Sequence, residues 1–270
     1  YRFGLAALVM IAIALLKREK LRPQTVKAGL VVGFFLFNGY SFQTVGLAYT
    51  TAANAGFLTG LSVVLVPLAT VVLTRRLPHA GVIAGAVCAA CGLAVLSSAD
   101  VAGFAAGDLL VLCCALFFAL HIIFVGRFSP HHPIVWLVAV QIATVAVLSG
   151  LAGLLLEGGI RKLVVADTGT ALLITALFAT CLAFFTQNYM QRFTSPGHTA
   201  IIFASEPVFA AIFAVLLLNE TLSPNTTLGG ALIVAGMLLA EIRNFSWPTK
   251  WRAASAKKDQ AEKVKACRRI

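Results

Sequence analysis

An acidic residue followed directly by proline lies in the middle of an apolar stretch of this chain. Glu206 and Pro207 fall within residues 198–218, where most neighbours are apolar. A carboxylate is costly in hydrocarbon and must face other helices or water, and a proline removes a backbone hydrogen bond and so predicts a local break in a helix. Glu206 is therefore either a group that binds a polar solute or a proton, or a structural carboxylate held by a neighbouring helix.

Five further polar side chains lie deep in apolar stretches. They are four amides and one histidine: Asn38, Gln43, His121, Gln187 and Asn188. Such amides either bind a polar solute by hydrogen bonds or join two helices, and a buried histidine either titrates near neutral pH or serves packing alone. Together with Glu206 they form the predicted substrate-binding set. Aromatic side chains such as Tyr40 are expected to supply apolar walls.

Motifs of the familiar enzyme classes do not occur in the sequence. It contains no G-x-S-x-G, H-E-x-x-H or P-loop pattern and no pair of intramembrane aspartates. Cys88 and Cys91 spell C-x-x-C, but no second such pair and no histidine accompanies them, so helix packing explains them better than a metal or redox site. We therefore predict no enzyme activity, no catalytic residue, no metal site and no cofactor.

The elements that must position these polar groups are membrane-spanning helices. Sixty per cent of the residues are apolar, 11% are charged and the mean hydropathy is +0.93, which excludes a water-soluble surface. Since a helix needs about 20 apolar residues to cross a bilayer, the sequence predicts an all-α integral membrane protein with nine transmembrane helices. They span residues 1–16, 28–49, 54–74, 79–98, 106–126, 133–156, 169–191, 198–218 and 225–242.

The net charge of +11 is distributed as membrane topology requires. If the first segment runs from outside to inside, only Arg2, Arg161 and Lys162 of the 21 Lys and Arg residues lie on the outer side. The positive-inside rule then fixes the orientation, and residues 246–270 become a basic cytoplasmic tail. The basic excess therefore reflects orientation in a membrane rather than binding to nucleic acid.

A weak internal repeat relates the two halves of the chain. Residues 48–55 align with residues 193–200, and Gly85 aligns with Gly230, in each case 145 residues later. Since the repeated unit consists of membrane-spanning segments, this pattern is typical of transporters built by duplication.

The predicted first repeat covers residues 1–98 and the second covers residues 106–243. The first segment of the second copy has no partner upstream of Tyr1, so we expect a tenth, N-terminal helix to be missing from this chain. Five crossings in each copy would make the two repeats inverted. The alignment sets Glu206 opposite Leu61, so only one copy carries the acid.

Several longer motifs are informative when they are taken together. They are A-A-N-A-G-F-L-T-G at 52–60, V-L-V-P at 64–67, G-D-L-L at 107–110, E-P-V-F-A-A at 206–211 and N-E-T-L at 219–222. This set resembles the EamA family of the drug/metabolite transporter superfamily. The resemblance implies ten helices in two inverted five-helix repeats around a central cavity, and export of amino acids or other metabolites across the bacterial inner membrane. The family's Glu-Pro pattern falls on Glu206 and Pro207.

We therefore hypothesise a multi-pass protein of the bacterial cell inner membrane that exports a small metabolite, an amino acid or related compound. Alternating access would result from rocking of one five-helix half against the other. The expected partners are the metabolite and the lipid bilayer but no nucleic acid, with homo-oligomerisation left open. The alternative is a non-transporting membrane scaffold or assembly factor, which would use the same polar contacts to join helices.

Overall fold

The chain folds into a bundle of helices. The computed structural model describes residues 1–50, 52–75, 77–97, 106–156, 165–218 and 224–241, and every regular element in these ranges is helical, as predicted. The predicted tail at 246–270 lies outside the described residues. The helices are α1 (Arg2–Leu16), α2 (Pro23–Gly46), α3 (Ala52–Gly60), α4 (Ser62–Thr74), α5 (Ala80–Ser97), α6 (Ala106–Phe128), α7 (Ile134–Leu156), α8 (Val165–Ala176), α9 (Ala183–Met190), α10 (Pro196–Phe203), α11 (Glu206–Leu218) and α12 (Pro224–Glu241). A π-helical stretch, Leu177–Leu182, connects α8 to α9.

Several of these helices are long and apolar enough to cross a membrane. The four longest apolar helices are Pro23–Gly46, Gly107–His131, Ile134–Leu155 and Thr168–Met190. Shorter apolar helices are Arg2–Leu16, Leu58–Leu73, Ala80–Val95 and Thr227–Ala240. The multi-pass fold is thereby supported, while the count of nine crossings and the inverted repeats stay predictions.

Proline marks the start of three of the helices. Pro23, Pro196 and Pro224 are the first residues of α2, α10 and α12, where a missing N–H group costs nothing. The start of α10 is also capped, because Ser195 Oγ accepts a hydrogen bond from the backbone N–H of His198 at 3.3 Å. Each proline thus fixes where its helix begins.

Glycines on α2 allow α7 to approach closely. A Cβ atom on Gly29 would lie 2.6 Å from the side chain of Val140, and one on Gly33 would lie 2.6 Å from that of Thr144. The two contacts are four residues apart on both helices and follow the same direction, so α2 and α7 run parallel. The contact depends on the small residues, as in other membrane helix pairs.

Helices α5 and α12 approach each other even more closely. A Cβ atom on Gly85 would lie 2.5 Å from the carbonyl oxygen of Gly236, and one on Gly92 would lie 2.7 Å from that of Gly229. The residue with the higher number on α5, Gly92, contacts the residue with the lower number on α12, Gly229, so the two helices are antiparallel. Their backbones touch because no side chain stands between them.

The buried apolar side chains form two main cores. The first core joins α1, α2, α7, the π-helical stretch and α9, and the second joins α4, α5, α10 and α12. A smaller core between α4, α6 and α10 connects them. Each main core contains helices from both predicted repeats. The two cores therefore do not coincide with the two predicted repeats.

Candidate functional site

The helix that carries the predicted acid is interrupted just before it. Between α10 and α11, the N–H of Ser205 donates to the carbonyl of Ile202 at 3.1 Å, three residues back instead of four. Pro207 has no N–H to offer to the carbonyl of Phe203. The break agrees with the prediction from the Glu-Pro pattern, and it places Glu206 at the start of α11 with its side chain exposed.

A second interruption has the same hydrogen-bond pattern. Leu61 separates α3 from α4, and its carbonyl accepts from the N–H of Val64 at 2.9 Å, as the carbonyl of Ser205 accepts from Val208 at 2.9 Å. The predicted membrane segment over residues 54–74 therefore consists of two helical elements, α3 and α4, with Leu61 between them. The bond between residues three apart makes the helix locally tighter at Leu61. No proline directly follows this break, since Pro67 lies further along in α4.

Four side chains bring opposite charges together on α1, α2 and α11; we call Arg2, Phe3, Tyr40 and Glu206 the charged cluster. The guanidinium carbon of Arg2 lies 4.6 Å from the ring centre of Phe3 and 5.2 Å from that of Tyr40. The hydroxyl of Tyr40 interacts with the guanidinium of Arg2, and it also has an electrostatic interaction with the carboxylate of Glu206. The hydroxyl of Tyr40 is thus in contact with a cation and within the electrostatic range of a carboxylate.

Two further contacts surround the charged cluster. The amide of Gln43, one turn beyond Tyr40 on α2, donates to the hydroxyl of Thr59 on α3 at 3.5 Å. The ring of Phe118 on α6 meets Tyr40 edge to face, with centroids 5.4 Å apart. Residues from α1, α2, α3, α6 and α11 therefore border the same region, and they combine both signs of charge with amide, hydroxyl and aromatic groups.

A second group of polar side chains is buried between α6, α7 and the end of α9. We call it the amide cluster, and it consists of His121, Gln141, Gln187, Asn188 and Gln191. Asn188 donates to the carbonyl of Phe184 at 2.8 Å, Gln187 donates to Gln191 Oε1 at 3.3 Å, and Gln191 donates to the carbonyl of Ile122 at 3.0 Å. Two of these bonds lie within α9 or at its end, and the bond from Gln191 joins the end of α9 to α6.

Two members of the amide cluster have unmet hydrogen-bonding capacity. His121 is 3% exposed and Gln141 is 0% exposed, and their side chains are neighbours. Within the described residues, His121 Nε2 and both amide atoms of Gln141 nevertheless have no hydrogen-bond partner of normal geometry. The ring of His121 instead meets Phe184 edge to face at 5.9 Å. Buried unpaired polar atoms are costly, so this pair weakens the packing it belongs to.

The amide cluster leads to a set of contacts at the end of the bundle where α6 meets α7. Ser129 donates to Asn188 Oδ1 at 3.5 Å, and the guanidinium of Arg192 donates to the carbonyls of Ser129 and His132 at 2.9 and 2.8 Å. His132 Nδ1 and Thr25 Oγ1 are hydrogen-bonded at 3.1 Å. These bonds hold the start of α2, the α6–α7 connection and the end of α9 together.

His132 lies outside the membrane-spanning helices and has a perturbed titration. Burial lowers the pKa of His132 below its ordinary value, and the positive charges of His131 and Arg22 lower it further. The neutral ring is thus favoured in the folded protein.

The six predicted site residues do not form one group. Glu206 belongs to the charged cluster and Gln43 lies beside it, whereas His121, Gln187 and Asn188 belong to the amide cluster. Asn38 donates to the carbonyl of Phe34 in its own helix at 2.8 Å, and no contact in the described residues assigns it to either cluster.

Comparison with known proteins identifies the family. The sequence matches the EamA-like transporter family over residues 1–98 and 105–241, which is nearly the whole described bundle. The chain belongs to the EamA-like transporter family. The family assignment makes this a multi-pass membrane protein of the transporter class, and no enzymatic activity is expected of it.

Individual relatives agree with the family assignment. A protein of Archaeoglobus fulgidus named "Uncharacterized transporter" is 36% identical over 218 residues, which cover 80% of this chain and 69% of that protein. A second protein of that organism with the same name is 26% identical over 255 residues, covering 88% and 85% of the two chains. A protein of known crystal structure has the same fold, with a TM-score of 0.76 at 23% identity over 89% of this chain and 86% of its own. The relatives are archaeal, so the bacterial inner membrane stays a prediction.

Arg2 is a member of the charged cluster that was not among the predicted site residues. Its side chain was interpreted from the sequence only as a marker of membrane topology. A signal was present, since Arg2 is the one charged residue within the apolar segment 1–16. Tyr40 was expected to supply an apolar wall, but its hydroxyl also interacts with Arg2.

Proposed function

We propose that this protein is a secondary transporter that exports a small metabolite, an amino acid or related compound, across the cytoplasmic membrane by alternating access. The observation that carries the proposal is the charged cluster, in which Arg2 and Glu206 act on the same hydroxyl beside an interrupted helix. Family membership supplies the transporter class, and the cluster supports the kind of solute.

Opposite charges that act on the same hydroxyl suit a solute that carries both signs. The guanidinium of Arg2 can hold a carboxylate through paired N–H donors, while the carboxylate of Glu206 can accept hydrogen bonds from an ammonium group. Phe3, Phe118 and the ring of Tyr40 offer apolar contact for the rest of the molecule. A zwitterionic solute of amino-acid size fits these requirements better than a purely apolar one.

Interrupted helices beside the cluster support a change of conformation. At each break the regular hydrogen-bond pattern is interrupted by bonds to the carbonyl three residues back, so we expect bending at Leu61 or at Ser205 to cost less than bending within a regular helix. The two main cores suggest which parts move together. We infer that the units that rock are the first core and the second core, rather than the first and second halves of the sequence.

An export profile tests the proposed function. Cells that overproduce the protein and cells that lack it are fed isotope-labelled metabolites, and the labelled compounds in the medium are compared over time. We expect overproduction to raise the external level of one or a few zwitterionic compounds. Equal external levels for every compound in both strains would contradict the proposal, provided that the protein is detected in the membrane fraction.

A further inference from the structure

The connection between α1 and α2 carries an unusual concentration of positive charge, and we call residues 17–22 the basic loop. Four of its six residues are cations with exposed side chains: Lys17, Arg18, Lys20 and Arg22. The transport site proposed above lies at the other end of α1, next to Arg2. The function of the basic loop is therefore not explained by the charged cluster.

The basic loop is held in a defined conformation. The N–H groups of Lys17 and Arg18 donate to the carbonyls of Ile13 and Leu15, both at 3.0 Å, and Arg18 adopts a left-handed backbone conformation with φ of 51°. The indole N–H of buried Trp136 on α7 donates to the carbonyl of Glu19 at 2.7 Å. A non-glycine residue in this region is uncommon and costs energy, so the surrounding contacts fix the loop shape.

The acidic residue of the basic loop does not neutralise its cations. Glu19 directs Oε2 inward, where the atom is buried and has no hydrogen-bond partner among the described residues. No ion pair joins Glu19 to a loop cation in that part of the chain. The loop therefore exposes four cations, while one oxygen of its only carboxylate points into the protein.

Apolar side chains lie directly beside these cations. Leu15 is 63% exposed, Leu16 is 82% exposed and Leu21 is 45% exposed. In a multi-pass membrane protein, leucines exposed at the end of a spanning helix contact acyl chains, and neighbouring cations then lie at the depth of the headgroups. Cations and exposed leucines together match a ligand that has an anionic head and an apolar tail.

We propose that the basic loop binds the headgroup phosphate of an anionic phospholipid from the surrounding bilayer, with Leu16 and Leu21 against its acyl chains. Arg18 and Arg22 can each offer paired donors to phosphate oxygens, and Lys17 and Lys20 add point charges. Because Trp136 fastens the loop to α7, a bound lipid would hold α1, α2 and α7 together at this end of the first core. This proposal does not depend on which solute the protein transports.

A lipid titration tests the proposal. The purified protein in neutral detergent is titrated with phosphatidylglycerol, with phosphatidylcholine and with inorganic phosphate, and bound lipid is counted by native mass spectrometry. We expect phosphatidylglycerol to bind at least tenfold more tightly than phosphatidylcholine. Equal binding of the two lipids would overturn the proposal, as would full displacement of phosphatidylglycerol by millimolar inorganic phosphate.

Matched variants separate this site from a general attraction to charge. Each cation near an anionic surface contributes about fivefold in affinity, so the double variant Lys17→Gln/Lys20→Gln should bind phosphatidylglycerol about 25-fold more weakly. The control Lys27→Gln/Arg127→Gln removes two exposed cations from α2 and α6 and should weaken binding by less than about fivefold. An equal loss in both double variants would overturn the proposal. Circular dichroism spectra checked against the unsubstituted protein ensure that folded molecules are compared.

A third variant addresses the apolar half of the lipid. Leu16→Gln keeps every cation but removes the most exposed of the three leucines. We expect about threefold weaker binding of phosphatidylglycerol and unchanged binding of inorganic phosphate. Unchanged lipid binding in this variant would mean that the loop recognises phosphate alone, and the assignment to a bilayer lipid would fall.

Discussion

The charged cluster and the amide cluster use similar polar chemistry in different surroundings. In the charged cluster, Glu206 is exposed, and Arg2 and Tyr40 are only partly buried. In the amide cluster, all five side chains are buried. Three of them donate hydrogen bonds, two within α9 or at its end and one to a carbonyl of α6. A polar residue in an apolar helix thus has two distinct uses, and the exposure of its side chain separates them better than its residue type does.

The largest expected difference concerns the carboxylate of the charged cluster. Glu206→Gln keeps the size of the side chain but removes the charge that would pair with an ammonium group, so we expect at least about 30-fold weaker apparent affinity for a zwitterionic solute. Solute flux in proteoliposomes measures the effect. Glu19→Gln is the matched control and should transport normally. Equal flux in both variants and the unsubstituted protein would show that the charged cluster is not the binding site.

A substitution of Gln141 in the amide cluster should change the stability of the protein instead of its transport. Gln141→Leu removes two buried atoms that have no partner, so it should raise the free energy of unfolding by about 1–2 kcal/mol and leave the affinity for the solute within about twofold. Chemical unfolding in detergent measures it.

Asn188→Leu provides the matched control for that stability measurement. Asn188 makes its hydrogen bonds, so its loss should lower the free energy of unfolding by about 1–3 kcal/mol. If Gln141→Leu instead abolishes transport while the protein stays folded, the amide cluster contributes to solute binding and the distinction between the clusters fails.

A smaller change tests the hydroxyl between the two charges. Tyr40→Phe keeps the ring contacts with Phe3 and Phe118 but removes one hydrogen-bonding group, so KM should rise by about three- to tenfold with little change in the maximal flux. Tyr189→Phe on α9 is the control, and its transport kinetics should be unchanged. A loss of maximal flux with constant KM would assign Tyr40 to the conformational change instead of to solute binding.

The smallest expected effect is the pH dependence of His132, next to the amide cluster. Its pKa is lowered in the folded state, so above the ordinary value of about 6.5 the ring is neutral in both states and stability is unaffected. As the pH falls below that value, the unfolded chain binds a proton more readily, and the folded protein loses stability.

The Tm in detergent should accordingly decrease slightly between pH 7 and pH 5. His132→Gln should flatten this decrease, because the variant has no imidazole to titrate at this position. A variant whose Tm follows the same pH curve as the unsubstituted protein would place the pH sensitivity elsewhere in the molecule.

Local features of the fold could be predicted from the sequence because each depends on few residues. The apolar segments gave the helices, and Glu206 with Pro207 located one break, since proline removes a backbone donor regardless of its surroundings. The break at Leu61 was not predictable in this way, because no proline follows it directly. It depends on how α3 and α4 pack against the rest of the bundle.

The division of the polar residues into two clusters could not be predicted from the sequence. The predicted repeat, with its offset of 145 residues, aligns Gln43 with Asn188, yet Gln43 contacts α3 near the charged cluster and Asn188 is bonded within the amide cluster. Their difference arises from neighbours that are distant in the chain. The same is true of Arg2, whose role depends on contact with Tyr40, far along the sequence.

The glycine contacts between α5 and α12 also limit where leakage can occur. A membrane protein that moves solutes must not let ions leak along the contacts between its helices. With the carbonyls of Gly85, Gly229 and Gly236 pressed against the opposite backbone, this seam has no width for a water chain. We expect this contact to block ion leakage, and one added methyl group at Gly85 would force the two helices apart.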